Sequence, residues 1–226
     1  MNLEDKSVNH NLQKYIKENI EPHYEKFYAH GKDHINRVVE QSFLIAQNFD
    51  VDFNMVYTAA CYHDIGLLIG RSNHAKNSGK YLYNDKNLLS FFDEEQMLML
   101  KKAVEDHSGS RKIPPRNIYG KIVSDADRDT SLEVLAIRQL PTSFKNYPEL
   151  NTFEEHFERC YYYMKSRANT DKGFNLWCEN EQMREALNQF AVDFFNKEYA
   201  RECYLKAYQY YENNRLIKKI KNSPYE

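Results

Sequence analysis

The residues able to do chemistry crowd into the first half of the chain. Seven of the eight histidines fall there, five of which, His30, His34, His63, His74 and His107, stand beside helix ends or loops, and His63 is followed directly by Asp64. The stretch Ala59-Ala60-Cys61-Tyr62-His63-Asp64-Ile65-Gly66 reads as the last turns of an apolar helix. Steps of four back from His63 meet Ala59 and Met55, and from Asp64 they meet Ala60 and Val56, so both polar side chains continue inward-facing rows. A carboxylate and an imidazole set beside a core are costly unless compensated, and a bound cation compensates both. Imidazole with carboxylate, in the absence of thiolates, suits a divalent transition metal. The candidate ligands are His34, His63, Asp64 and a later carboxylate, best placed at Asp125. His34 stands one turn ahead of Val38 on an apolar stripe and Asp125 one turn after Ile122, with Asp127 and Asp129 as alternatives for the last.

The elements that must position these residues read as helices throughout. Leu12, Ile16 and Ile20 recur at four-residue steps and stop at Pro22, which predicts a helix over about residues 8 to 20. From Asp33, read as an N-cap, Ile35, Val38, Val39, Phe43, Ile45 and Ala46 keep a helical stripe. The helix from about Phe53 to Asp64 follows, with Gly66 placed to help end it. A short helix carries Ala75, Ser78 and Leu82; Asp93-Glu94-Glu95-Gln96 is a capping-box signature that opens another running to His107. Pro114-Pro115 breaks the chain, and Ile118, Ile122 and Val123 suit a helix that includes Asp125. Beyond Pro141 longer helices follow, one opening on the capping box Thr152-Phe153-Glu154-Glu155 and the last running from about Glu198 to Lys221. The expected fold is a single all-α domain over residues 1–226, a helical bundle with a motif-bearing core at about 23–130 and a helical extension at about 150–222.

Composition narrows the function classes. Seven glycines and six prolines in 226 residues are too few turn-formers for a chain of many strands. Lys+Arg 31 against Asp+Glu 33 leaves a net charge of -2, which argues against bulk binding to polymeric nucleic acid or to an anionic membrane. The cysteines at 61, 160, 178 and 203 make no CxxC pair, so a reducing compartment is expected, with Cys61 as a small core filler. No run of 18 apolar residues and no basic-then-apolar leader is seen. A cytoplasmic protein without membrane contact is the expectation. Asp125, Asp127 and Asp129 mimic an EF-hand opening, but Thr130 stands where the loop glycine belongs. The tyrosines at 161 to 163 and at 208, 210 and 211 are read as bundle core and surface rather than base-stacking platforms.

Three segments carry a resemblance. Gly31-Lys32-Asp33-His34-Ile35-Asn36-Arg37-Val38, then Ala59 to Gly66, then Ser124-Asp125-Ala126-Asp127-Arg128 are similar to the HD-domain superfamily of metal-dependent phosphohydrolases, in particular to a small bacterial single-domain branch. The likeness covers about residues 23 to 130 and continues more weakly at Arg167-Ala168-Asn169-Thr170. Asp129-Thr130-Ser131 and the segment holding Trp177 and Cys178 depart from that branch. The resemblance implies an all-α enzyme with a divalent metal (Mn, Mg, Fe, Co or Ni), one or two per chain, on His34, His63, Asp64 and Asp125. The ion would acidify a water and draw charge from a phosphoryl oxygen of a small phosphorylated substrate, expected to be a nucleotide. Asp64, His74 and His107 are implied catalytic residues, the two histidines holding a second ion, contacting phosphate or shuttling protons. Arg37 and Arg71 are candidate phosphate receivers. The competing readings are a dinuclear phosphodiesterase or nucleotide pyrophosphohydrolase and a non-catalytic sensor of metal or nucleotide. Taken singly, His63-Asp64 reads equally as a solvated helix end, His107 as a helix-dipole partner, and Arg37 and Arg71 as ordinary ion-pairing residues.

Overall fold

The computed structural model describes residues 7–109, 111–168 and 176–225, all of them helical or irregular, with no strand among them. Asn169 and Thr170, the end of the weaker resemblance, lie outside the described residues. The helices are α1 (His10–Asn19), α2 (Lys32–Ala46), α3 (Phe53–Tyr62), α4 (His74–Asn84), α5 (Glu94–Glu105), α6 (Ile118–Ala126), α7 (Leu132–Asn146), α8 (Phe153–Ala168), α9 (Glu181–Phe195), α10 (Lys197–Asn213) and α11 (Ile217–Lys221), with short 3₁₀ turns at Glu21–Lys26, Ile65–Leu68 and Lys86–Ser90. The chain expected as one domain falls into two compact units, divided between Arg128 and Asp129.

The first unit is built around α3. Phe53, Met55, Val56 and every residue from Thr58 to Tyr62 are buried, the signature of a helix apolar on all sides and enclosed by its neighbours. It packs against α2, α5 and α6, and Ala59 and Ala60, both fully buried, keep its last turn slim. Helices α4 and α5 lie against each other, and a Cβ on Gly79 would meet the Lys101 carbonyl at 2.9 Å, so bare backbone is required there. The capping box at Asp93 forms as expected, with Asp93 and Gln96 each accepting from the other's backbone N–H. The expected cap at Asp33 is instead Gly31, with Asp33 in the first turn.

In the second unit, α7 packs on α8, α10 and α11 over a core that includes Leu140, Phe144, Phe157 and Tyr204. The capping box at Thr152 forms: Glu155 N–H donates to Thr152 Oγ1 and Thr152 N–H to the Glu155 carboxylate. Pro141, read from sequence as a divider, lies inside α7. Proline cannot donate to the carbonyl four residues back; that carbonyl, Ile137 O, accepts the Tyr211 hydroxyl at 2.8 Å, so tertiary packing supplies what the helix lacks. The long C-terminal helix is also interrupted: Arg215, at φ 54, separates α10 from α11. All four cysteines are buried free thiols. No helix among the described residues is long and apolar enough to cross a membrane.

Candidate metal centre

Six ligand-type side chains of the first unit gather at helix ends. His34 enters from the first turn of α2; His63 and Asp64 follow the last turn of α3; His74 opens α4; His107 stands just past α5; Asp127 caps the C-terminus of α6. Their ligand atoms form two groups, His34 with His63 and Asp127, and Asp64 with His74 and His107, each group spanning no more than 4.8 Å. In the first, His34 Nε2 lies 3.1 Å from His63 Nε2 and 3.3 Å from Asp127 Oδ1. Asp64 joins it through Oδ2, at 3.4 Å from His34 and 3.2 Å from His63. Its other oxygen, Oδ1, faces the second group, 3.5 Å from His74 Nε2 and 3.4 Å from His107 Nε2.

The sequence expectation put the fourth carboxylate at Asp125, with Asp127 and Asp129 as alternatives. Asp125 is fully buried, as its place in step with Ile122 implies, but Asp127 is the aspartate grouped with His34 and His63. Two residues along a helix turn the side chain by about 200°, so the two acids leave α6 in nearly opposite directions. The centre lies off the end of α6, where the cap residue reaches it.

The tautomers show what the centre needs. His63 Nδ1 is 2.7 Å from Ala60 O, His107 Nδ1 is 2.7 Å from Val104 O, and His74 Nδ1 is 3.2 Å from Arg71 O. A carbonyl only accepts, so each Nδ1 carries the proton and each neutral ring turns an Nε2 lone pair toward Asp64. Three lone pairs and a carboxylate converge where only positive charge can satisfy them. The protein's own electrostatics respond in that sense. Burial opposes the imidazolium of His63, yet the Asp64 and Asp127 carboxylates outweigh it and raise its pKa. Burial likewise opposes the Asp64 carboxylate, but the His63, His107 and His34 imidazoles, when protonated, hold its pKa well below the usual carboxylate range. At His74 burial prevails and lowers the pKa. The donor set fits a divalent cation: around an ion with bonds near 2.1 Å, adjacent donors stand about 3.0 to 3.4 Å apart, the spacing found here.

His34 differs from the other rings. Arg37 Nη2 donates to its Nδ1 at 2.9 Å, and a guanidinium has no acceptor, so the neutral ring carries its proton on Nε2 and points it at His63. Ligation through that nitrogen requires the proton to leave and the guanidinium to withdraw. Arg37, expected to receive phosphate, thus sits behind His34 and also donates to Arg128 O at 3.1 Å. Arg71 is exposed, and its charge adds to the lowering of the His74 pKa. Sequence reasoning ranked Asp127 second and passed over Arg128, which donates to Gly109 O at 3.2 Å behind the His107 turn.

A family model for the HD domain matches residues 31–132, a span that holds all six clustered residues. The chain carries an HD domain at residues 31–132. HD domains bind divalent metals, and membership supports metal-dependent phosphohydrolase chemistry in general. A crystal structure described as a predicted HD superfamily hydrolase from an uncultured Thermotogales bacterium resembles 88% of this chain and 98% of its own, at 20% sequence identity and a TM-score of 0.49. No curated protein matches the chain.

Proposed function

We propose that the chain is a phosphohydrolase that acts on a small phosphorylated molecule, a nucleotide, and that its residues would hold two divalent cations, with Asp64 contributing to both sites. The observation that carries this reading is the division of the Asp64 carboxylate, Oδ2 toward His34 and His63 and Oδ1 toward His74 and His107. His34, His63, Asp127 and Asp64 would hold one cation, and Asp64, His74 and His107 the other. Bound there, divalent cations supply Lewis acidity that acidifies water and draws charge from a phosphoryl oxygen. The residues around them set direction. The His34, His63 and Asp64 side chains are at most 4% exposed, whereas Asp127 is 19% and His74 26% exposed, so substrate approaches from the side of those two. Arg71, beside His74, is the cation available to receive a phosphate on that side. The choice of a nucleotide rests on the HD resemblance.

The mononuclear reading, with His74 as a proton carrier, draws on the same exposure and on the 3.2 Å bond from His74 Nδ1 to Arg71 O, the longest of the three bonds from Nδ1 to a carbonyl. Cation counting separates the two: two ions per wild-type chain and one in His74→Ala are expected, and one ion in both sinks the dinuclear reading. A panel of nucleoside mono-, di- and triphosphates and dinucleotides with Mn²⁺, Mg²⁺, Co²⁺ and Fe²⁺ tests the activity. A loaded protein that hydrolyses none of them is a sensor rather than an enzyme.

A further inference from the structure

The turn that presents His63 and Asp64 breaks the hydrogen-bond pattern of the helix it ends, and one buried side chain repairs it. In a continued helix the Ala60 carbonyl would accept from Asp64 N–H; here it accepts from His63 Nδ1 at 2.7 Å. Asp64 leaves the helix at φ -110, ψ 6. The neighbouring carbonyl, Cys61 O, accepts the Tyr24 hydroxyl at 2.7 Å. Tyr24 is 1% exposed and comes from the 3₁₀ turn at Glu21–Lys26, forty residues away in the chain from the turn it supports. A buried hydroxyl donor satisfies a carbonyl that the end of the helix leaves without its usual N–H partner.

We infer that Tyr24 is a positioning residue for the metal centre: its hydroxyl stands in for the missing helical hydrogen bond and so fixes the angle at which Asp64 offers its two oxygens. The inference rests on the two-cation reading. A group that orients a ligand without touching the ion typically changes metal affinity by about 10- to 100-fold when removed. Tyr62 is the matched control. It is fully buried on the same helix and donates to Asp85 Oδ2 at 2.6 Å, away from the His63-Asp64 turn.

The test is calorimetric titration of the full chain with Mn²⁺, using wild type, Tyr24→Phe and Tyr62→Phe, each checked for its fold by circular dichroism. Tyr24→Phe is expected to bind Mn²⁺ at least tenfold more weakly, with Tyr62→Phe within twofold of wild type. Unchanged affinity in Tyr24→Phe, or an equal loss in both variants, overturns the inference. A wild type that binds no Mn²⁺ overturns the proposed function beneath it. Should Tyr24→Phe not fold, amide hydrogen exchange on wild type decides: Asp64 N–H is expected to be protected although it lies outside the helix. Exchange as fast as that of an unprotected amide overturns the inference.

Discussion

Gly66 is the position where one added methyl group tests both the packing and the centre. A Cβ there would stand 2.2 Å from His74 O, 2.5 Å from Ser78 N and 2.8 Å from Ser78 Oγ. Two of these are backbone atoms of the first turn of α4, so no rotamer change relieves them. Restoring ordinary contact needs a shift of about 1 Å between that turn and the one after Asp64. Overpacking of this kind costs about 1–3 kcal/mol. The shift also breaks the 2.8 Å bond from Gly66 N–H to Ser78 Oγ, and a buried donor left unpaired adds about 1–3 kcal/mol. Gly66→Ala is therefore expected to lose roughly 3–5 kcal/mol, read by urea unfolding, and to melt about 10 °C lower, since 1 kcal/mol moves the midpoint of a domain of this size by about 2–4 °C. The same displacement draws His74 Nε2 away from Asp64 Oδ1, now 3.5 Å apart, so cations counted on the folded variant should fall from two per chain to one. A loss below about 1 kcal/mol with both cations retained refutes the reasoning.

Three further outcomes are expected. Asp127→Asn should weaken Mn²⁺ binding by about tenfold or more while Asp125→Asn changes stability and leaves binding near wild type; the reverse order returns Asp125 to the centre. Burial, helped by the charge of Lys221, lowers the pKa of His156, which meets Ser143 Oγ at 2.8 Å. A base with a lowered folded-state pKa stabilises fully above its unfolded value of about 6.5, and that contribution is lost as pH falls through and below it. Stability should therefore decline from pH 7 toward pH 5 and decline less in His156→Gln; parallel curves refute this. The reading of the chain as one domain predicts a single unfolding transition that coincides by fluorescence and circular dichroism, and two resolved transitions would separate the units at Arg128 and Asp129.

Helices were legible wherever local chemistry determined them. The stripes of α1, α2, α3 and α5 and the caps at Asp93 and Thr152 depend on residues three or four apart, and these formed as read. What escaped depends on partners far along the chain. Nothing near Pro141 announces that Tyr211 will take the carbonyl it strands, so α7 could not be followed through it.

The centre divides along the same line. Its histidines stood out by type and by position beside helix ends, but the carboxylate was sought on a helix face, where a stripe can be counted. Face periodicity reports burial, and Asp125 is indeed buried. It does not report what lies beyond the last turn, and all six clustered residues sit in a first turn, at a cap or just past a helix. Helix ends are where backbone carbonyls lose their partners. Ala60 O and Val104 O use that freedom to hold His63 and His107 by Nδ1, so the groups that end the helices are the ones that aim the rings. His34, in the first turn of α2 with Arg37 rather than a carbonyl behind it, is the ring whose proton points the wrong way for a cation. Ligation by His34 through Nε2 therefore requires a rearrangement at Arg37, while the other three rings are already set.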